Sequence, residues 1–245
     1  MLKRLSIAIL LGLTLCWAAS AADKIKVLIV TGDDVGSHNW KEVAPATRDI
    51  LVASGKFDVK ITEKPQDLES AADLKGYDLV FLAIYNQKLP TLSDTAKQNL
   101  VDFVKGGKGF AVAHLASASF KEWDEFKKLC GRYWVMGRGK SGHGPRSKFK
   151  VVIKDKNDPI VKGLDDFEAD DELYAKLEGD APIHVLATAD SDWSKKTEPM
   201  VFTLNYGQGR VFHETFGHDV KALDNASIRT IIQRGCEWAA TGKVQ

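Results

Sequence analysis

Cysteine is scarce in this sequence, and its scarcity excludes several kinds of site. The chain of 245 residues has three cysteines, and only Cys130 and Cys236 lie beyond residue 22. Neither a CxxC pair nor a zinc-finger spacing occurs, which excludes a structural zinc site of that type and a dithiol redox centre. Both cysteines fall in helical patterns, and we expect two buried free thiols rather than a disulfide, although an exported protein would permit one.

Excess charge and long apolar runs are also missing. With 34 basic and 33 acidic residues, the chain has no basic surplus that would favour nucleic acid or an anionic membrane as a partner. Beyond residue 22, no apolar run reaches the roughly 20 residues that a membrane-spanning helix needs. The remaining length suits one α/β domain over residues 23–245, without stable membrane insertion, and a homo-oligomer stays open.

The first residues have the order of a secretory signal peptide. Lys3 and Arg4 precede an apolar run at Leu5–Ala18, and Ala19-Ser20-Ala21 supplies the small residues of a cleavage site. We therefore expect residues 1–22 to be removed and the mature protein to be periplasmic or secreted. Those residues contain two basic side chains and no acidic ones, so their removal changes the net charge from +1 to −1.

Two alternatives to cleavage are disfavoured. The apolar run at Leu5–Ala18 is shorter than a membrane anchor requires. Lipidation at Cys16 needs a small residue before the cysteine, and Leu15 is bulky. A cleaved signal peptide is the interpretation that remains.

Buried strand patterns alternate with helical patterns in the first half. Continuous apolar runs at Lys26–Thr31, Tyr77–Ile84 and Gly109–Ala113 predict strands that are buried on both faces. Helical patterns at Trp40–Ser54 and after Ser93 separate them. This alternation predicts parallel strands with crossover helices, and the three apolar strands should be central neighbours.

The second half reads differently. A Gly-rich basic loop over residues 138–148 precedes strand patterns at Phe149–Ile153, Ile183–Thr188 and Met200–Leu204. A turn at Tyr206–Gly209 then leads into Arg210–Thr215, which should pair antiparallel with the strand before it. The chain as a whole predicts a three-layer α/β sandwich with a mainly parallel sheet.

Three of the six histidines directly follow predicted strands. These are His38, His114 and His218. Ligand sites of open parallel sheets lie beyond the carboxyl ends of the strands, so the three imidazoles should meet at one edge. They are candidates for proton transfer or for holding a divalent metal ion such as zinc. No short ligand motif such as HExxH joins them, so the sequence leaves the metal open.

His114 occupies the position at which a nucleophile elbow carries its serine or cysteine. The residues two positions to either side, Val112 and Ala116, do not complete a GxSxG pattern. A structural histidine hydrogen-bonded at a tight turn is the alternative. If His114 is functional, we expect His114→Ala to abolish activity or metal binding while folding stays largely intact.

Five segments resemble the ThuA-like, or trehalose-utilisation, family. They read VTGDDVGSHNW, GGKGFAVAHLAS, DDELY, EPMVFTLNYGQGRVFHETFGHD and RGCEWAATG, and they span nearly the whole chain beyond residue 22. The resemblance implies a flavodoxin-like fold of the class I glutamine amidotransferase-like type. It also implies a role in disaccharide or oxidised-sugar catabolism, with a small-molecule carbohydrate as the partner.

Two positions depart from the related patterns. Many family members carry His-Pro where this chain has Asp158-Pro159. Class I amidotransferases need a thiolate nucleophile at the elbow, where this chain has His114, and this excludes glutamine hydrolysis by that route. Two functions stay open: an enzyme such as a hydrolase or isomerase acting on sugars, and a non-catalytic carbohydrate-binding or sensing protein.

Further polar residues are candidates around the three histidines. Glu172 and Asp219 join them as candidate catalytic residues, and Glu172 is preferred as the carboxylate that orients an imidazole. The acidic run that contains Glu172 could instead be a solvated helix start. Candidate substrate-binding residues are Asn39, Trp40, Arg138, His143, Arg146, Asp171 and Tyr174. The Gly-rich loop could close as a lid or be plainly mobile, and His184 and His213 are interpreted as structural.

The mature protein is expected to begin near Ala22 or Asp23, because the small residues that favour cleavage end at Ala21. N-terminal sequencing of exported material tests this expectation. An intact Met1, or a lipid on Cys16, would contradict it.

Overall fold

The computed structural model describes residues 23–32, 36–85 and 92–245. The signal-peptide prediction for residues 1–22 therefore lies outside the described residues. Within the described ranges, no helix is long and apolar enough to cross a membrane.

Nine strands of the described chain form one sheet. They are β1 (Ile25–Val30), β2 (Phe57–Thr62), β3 (Leu79–Leu82), β4 (Gly109–Ala113), β5 (Ser147–Ile153), β6 (Phe167–Asp171), β7 (His184–Ser191), β8 (Lys196–Tyr206) and β9 (Gly209–Glu214). Their order across the sheet is β2-β1-β3-β4-β9-β8-β7-β5-β6.

Helices pack against both faces of the sheet. The α-helices of the described residues are α1 (Trp40–Ala53), α2 (Ala71–Leu74), α3 (Asp94–Lys105), α4 (Asp124–Cys130) and α5 (Ala226–Thr241). Alternate residues of β1 reveal the two faces, because neighbouring side chains of a strand point in opposite directions. Val27 and Ile29 pack with α1 and α5, whereas Leu28 and Val30 pack with α3 and α4.

The three apolar strands are central neighbours, as predicted. β1 pairs parallel with β3, and β3 pairs parallel with β4. The helix predicted after Ser93 is also confirmed, with the Ser93 hydroxyl accepting a hydrogen bond from Ala96 N at 3.1 Å. β4 then pairs parallel with β9, which places the ends of β4 and β9 side by side.

The expectation of a mainly parallel sheet holds only for five adjacent strands, which are β2, β1, β3, β4 and β9. Beyond β9, the successive neighbours β8, β7, β5 and β6 all pair antiparallel. A parallel pair needs a long crossover, usually through a helix, and the chain from β5 to β9 contains no α-helix. The sheet is therefore mixed, while the α/β class and the predicted antiparallel pairing of β8 with β9 are confirmed.

The sequence does not predict β6 as a strand, because its residues are FEADD and acidic residues are depleted in strands. Its inner face carries the buried Ala169 and Asp171. On the other face Glu168 pairs with Lys148 of β5. The acidic run is therefore an edge strand and not a helix start, and β6 delivers Asp171 and Glu172 to the end of the sheet.

The core contains both predicted free thiols and a buried histidine. Cys130 and Cys236 are free and buried, as expected. The ring of His213 donates from Nδ1 to the Cys130 carbonyl at 2.9 Å, since a carbonyl can only accept, and it packs 4.4 Å from the Phe202 ring. Burial lowers the pKa of His213 to about 4, although the bond to Cys130 opposes the shift. His213 is therefore neutral near pH 7, consistent with a structural role.

We expect His213 to weaken folding in mild acid. An unfolded histidine has a pKa of about 6.5, whereas the folded pKa of His213 is about 4. Its stability contribution is therefore complete above the unfolded value and is lost as the pH falls towards the folded one. His213→Asn keeps a donor near the position of Nδ1 but cannot titrate. Between pH 7 and pH 5, the free energy of unfolding of this variant should therefore fall by about 2 kcal/mol less than that of the wild type.

Urea unfolding of wild-type and His213→Asn protein at the two pH values measures this difference. Equal losses in the two proteins would show that His213 does not titrate on unfolding.

Candidate metal centre

His114 stands at the end of β4 in a left-handed conformation, with φ at 46°. It begins the 3₁₀ turn His114–Ala118, and the Ser117 hydroxyl donates to the His114 carbonyl at 2.8 Å. Positive φ is uncommon outside glycine and is enriched at functional turns. The elbow-like position predicted from the sequence is therefore present, with an imidazole at its tip.

The His114 ring is held from both sides. Its Nδ1 lies 2.7 Å from the Thr215 carbonyl oxygen, so Nδ1 carries the hydrogen, and in the neutral ring Nε2 has a free lone pair. The ring stacks on Tyr174 at 4.1 Å between centroids, and His114 is 3% exposed. Because the ring is buried and packed, His114→Ala would also cost stability, contrary to the expectation that folding stays largely intact.

His38 and His218 converge on His114, as the sequence predicted. His38 Nε2 lies 3.1 Å from His114 Nε2 and 3.2 Å from His218 Nδ1. On the other side of the His38 ring, Nδ1 lies 2.9 Å from the Ser37 hydroxyl. The convergence follows from topology, because β4 and β9 are neighbours and β1 ends at the same edge of the sheet.

Glu172, the preferred carboxylate, completes the cluster. Its Oε2 atom lies 3.6 Å from His38 Nε2, 3.5 Å from His114 Nε2 and 3.2 Å from His218 Nδ1. His143 Nε2 approaches the same oxygen at 3.6 Å. This Oε2 atom is buried and forms no hydrogen bond within the described residues.

The electrostatics of the cluster favour an ionised Glu172 beside a neutral His38. Burial alone would raise the pKa of Glu172, but the adjacent His114 and His38 outweigh it and hold that pKa well below its usual range. Burial lowers the pKa of His38; Glu172 partly opposes this, and the neighbouring His114 and His218 lower it further. A neutral imidazole has the free lone pair that a metal ligand requires.

The dimensions of the cluster match a tetrahedral metal site. His38, His114, His218 and Glu172 each offer one ligand atom, and the four atoms lie within 4.8 Å of one another. Zinc bonds of about 2.1 Å would place tetrahedral ligand atoms about 3.4 Å apart. Five of the six separations lie between 3.1 and 3.6 Å, and the sixth, between His114 and His218, is at most 4.8 Å. The residue types and their spacing therefore fit a divalent ion.

Asp171 supports the cluster from behind. Its carboxylate accepts hydrogen bonds from Gly217 N at 2.7 Å and His218 N at 3.2 Å. It also accepts from Glu172 N at 2.8 Å. One buried side chain thus sets the backbone of both His218 and Glu172.

The Gly-rich loop is anchored to the body of the protein. Gly142 pairs with Ala175 in an isolated β-bridge, and the Ser141 hydroxyl donates to the Lys176 carbonyl at 2.7 Å. A side chain at Gly142 would lie 2.5 Å from a ring atom of Trp193, so only glycine allows this packing. These contacts hold His143 near Glu172.

Arg146 and Asp219 lie outside the metal-like cluster. Arg146 pairs with Asp219 and, at 3.1 Å, with Asp170 of β6. Asp219 also accepts a hydrogen bond from Ala222 N at 2.8 Å. The structure places Asp219 as a brace for the loop after His218 rather than as the partner of an imidazole.

The remaining candidates are divided between the site and the surface. Asn39 and Arg138 are exposed, and neither side chain is hydrogen-bonded within the described residues. Trp40 lines a cavity beside His38. Tyr174 stacks on the cluster, and its buried hydroxyl has no hydrogen-bond partner in the described chain.

One carboxyl group at the site, that of Glu214, is not apparent from the sequence. Glu214 is the last residue of β9, lies opposite Ala113 of β4, and lines the same cavity as His38 and His114. The available signal was an acidic residue at the carboxyl end of a strand that is otherwise buried.

Comparison with solved structures defines the class of fold. A GMP synthase component from Thermoplasma acidophilum has a TM-score of 0.55 and 13% identity, covering 91% of this chain and 97% of its own. A ThuA-like protein from Bacteroides uniformis has a TM-score of 0.73 and 15% identity, covering 93% of this chain and 98% of its own. The chain therefore shares its α/β fold with these two proteins, and it carries His114 rather than cysteine at the elbow.

The family is more specific than the fold. Residues 26–239 match the ThuA family model, described as trehalose utilisation, and the chain belongs to this family. A ThuA-like protein from Parabacteroides merdae has a TM-score of 0.81 and 29% identity, covering 91% of this chain and 92% of its own. Comparison with curated proteins yields no match.

We expect Asp171→Asn to destabilise the protein by roughly 3 kcal/mol. Asparagine offers a single acceptor oxygen, so at least one of the buried N–H groups of Gly217, His218 and Glu172 would lose its partner. Urea unfolding measures the change. Asp192→Asn, at a fully exposed aspartate beside Lys195, is the matched control and should alter stability by less than about 0.5 kcal/mol. Similar effects of the two changes would refute the supporting role of Asp171.

Proposed function

We propose that this ThuA-family chain is an exported enzyme of disaccharide or oxidised-sugar catabolism that uses a divalent ion held by His38, His114, His218 and Glu172. The proposal depends above all on Glu172 Oε2, which is buried without a hydrogen bond from the described residues. Burying a carboxylate oxygen without a partner is costly. A cation bonded to it would remove that cost.

The donor set suits zinc. Three imidazoles and one carboxylate are ligand types that zinc accepts, and a sugar oxygen would join these four protein ligands as a fifth. The hydrogen bond from His114 Nδ1 to the Thr215 carbonyl fixes the tautomer that presents Nε2 to the cluster. Such a second contact behind a ligating histidine is a regular feature of zinc sites.

The surrounding residues can move protons and bind a sugar. A bound divalent ion would act as a Lewis acid towards a carbonyl or hydroxyl oxygen of the sugar. His143 donates from Nδ1 to the Gly144 carbonyl at 2.6 Å, so its neutral ring presents Nε2 as a base at the site. Its side chain is 32% exposed and can accept a proton from a bound sugar.

An apolar wall lies next to this base. The buried Tyr174 ring is stacked with His143 at 5.7 Å and meets the partly exposed Trp134 edge-on at 4.6 Å. The exposed part of Trp134 suits the apolar face of a sugar ring. The arrangement supports proton transfer on a bound sugar, the chemistry of a hydrolase or an isomerase.

A carbohydrate-binding or sensing protein without turnover is the alternative function. Histidines dispersed along a shallow aromatic groove would favour it. The ligand atoms of three histidines and Glu172 instead lie within 4.8 Å of one another, which supports metal-assisted chemistry. Export remains part of the proposal and rests on the order of residues 1–22.

We expect the native protein to hold about one divalent ion per chain and His114→Asn to lose it. Asparagine is chosen because it tolerates the left-handed backbone that His114 adopts. Loss of a residue that only hydrogen-bonds a metal ligand weakens metal binding by roughly 10- to 100-fold, so loss of a ligand itself should weaken zinc binding by more than that. Elemental analysis and calorimetric zinc titration measure the change.

The matched control is His184→Asn. His184 is an exposed histidine outside the cluster, and its Nε2 atom lies 3.0 Å from a carboxylate oxygen of Asp155. Its replacement should therefore leave zinc binding unchanged. Turnover of trehalose and of its keto derivative, followed by chromatography, should require both the ion and His114. Wild-type protein that binds no divalent ion, or a His114→Asn variant that binds one equally well, would refute the proposal.

A further inference from the structure

A cavity of about 50 Å³ adjoins the histidine cluster on the side of α1. His38 and His114 form one wall. The other walls are largely apolar and include Trp40, Ile84, Tyr85, Phe216 and Leu223. A cavity needs about 10–15 Å³ for each water molecule, so this one has room for a few waters or for one polar group of a ligand.

Glu214 is the acidic residue that lines this cavity. It is 1% exposed, and its Oε2 atom accepts a hydrogen bond from Phe216 N at 2.7 Å. Its other oxygen, Oε1, forms no hydrogen bond with residues 23–32, 36–85 or 92–245. Because its Oε1 atom has no hydrogen-bond partner and lies beside a cavity, this buried acid can bind a polar group of a ligand there.

The surroundings of Glu214 favour its protonated form. Burial raises the pKa of Glu214 well above its usual range; the Phe216 N–H opposes this, and the charge of Asp171 raises the pKa further. Cys236 also lies close enough for its pKa to respond to Glu214. No Lys or Arg of the described residues pairs with Glu214. Because Oε2 accepts the backbone N–H, the acid proton belongs on Oε1.

A neutral carboxylic acid in an apolar cavity selects its ligand by chemistry. It donates one hydrogen bond, so it suits an acceptor such as a carbonyl oxygen. A ligand carboxylate would add a third buried anion near Asp171 and Glu172, and a protonated Glu214 offers it no positive charge. At the Glu214 end, the cavity therefore favours an uncharged oxidised sugar over a sugar acid.

We infer that this cavity is the blind end of the ligand site, and that Glu214 binds there the carbonyl oxygen of an uncharged keto sugar by donating a hydrogen bond from Oε1. The inference rests on the proposed function, because the sugar must also reach the histidine cluster. A carbonyl held by Glu214 would place the neighbouring carbon of the sugar towards His38 and His114.

The test uses small probes and backbone amides as reporters. Dihydroxyacetone is the uncharged keto probe, glycerol lacks the carbonyl, and glycerate carries a carboxylate. The amides of Ala113, Phe216 and Gly217 surround Glu214 and report binding by NMR in the zinc-loaded protein. We expect a saturable shift with dihydroxyacetone, and binding at least about tenfold weaker for glycerol and glycerate.

Two variants separate the hydrogen bond from the shape of the cavity. Glu214→Gln keeps an N–H donor and should retain most of the affinity for dihydroxyacetone. Glu214→Leu removes the donor and should weaken binding by about three- to tenfold. Carbon-13 NMR of labelled glutamate carboxyls in the wild-type protein should show one group still protonated at pH 7, and its signal should be missing from Glu214→Gln.

The results that test Glu214 can be distinguished from the results that test zinc binding. Both Glu214 variants should bind zinc as the wild type does. An ionised Glu214 at pH 7, no saturable shift with dihydroxyacetone, or equal affinity in Glu214→Leu would each overturn the inference. If the wild-type protein binds no zinc, the proposed function fails, whereas the protonation of Glu214 and the dihydroxyacetone titration of the metal-free protein still decide this inference.

Discussion

The carboxylate of Asp171 joins the two halves of the sheet at the site. It accepts hydrogen bonds from Glu172 N after β6 and from Gly217 N and His218 N after β9. β6 ends the antiparallel half of the sheet, whereas β9 borders the parallel half. The relative placement of Glu172 and His218 therefore depends on one buried side chain that touches neither the cavity nor the proposed metal.

Two features of the histidine cluster reduce the stability of the folded protein. It leaves a buried carboxylate oxygen without a hydrogen bond among the described residues and holds His114 at positive φ. Each of these features costs free energy, and such features persist where the surrounding structure enforces them. Local rules fail together here, as expected at a functional site rather than in a packed core.

Two glutamates beside the cluster have opposite environments. Glu172 faces four imidazoles, which hold its pKa low and keep it ionised. Glu214 is buried beside an apolar cavity, and its burial and the charge of Asp171 raise its pKa. Pairs of carboxyl groups whose pKa values are driven apart are a common way to provide both an anion and an acid at one pH. The pair suits a site that binds a cation and an uncharged ligand side by side.

The sequence by itself determined the parallel half of the fold, the edge at which His38, His114 and His218 meet, and the family. Those conclusions depend on strand periodicity and on the rule that parallel strands end together, both of which are local or topological. Only the tertiary structure decided that FEADD is a strand, that Asp219 turns towards Arg146, and that Glu214 faces a cavity. These outcomes depend on the partner that each side chain meets across the fold, and contacts between residues far apart in the chain leave no periodic signal in the sequence.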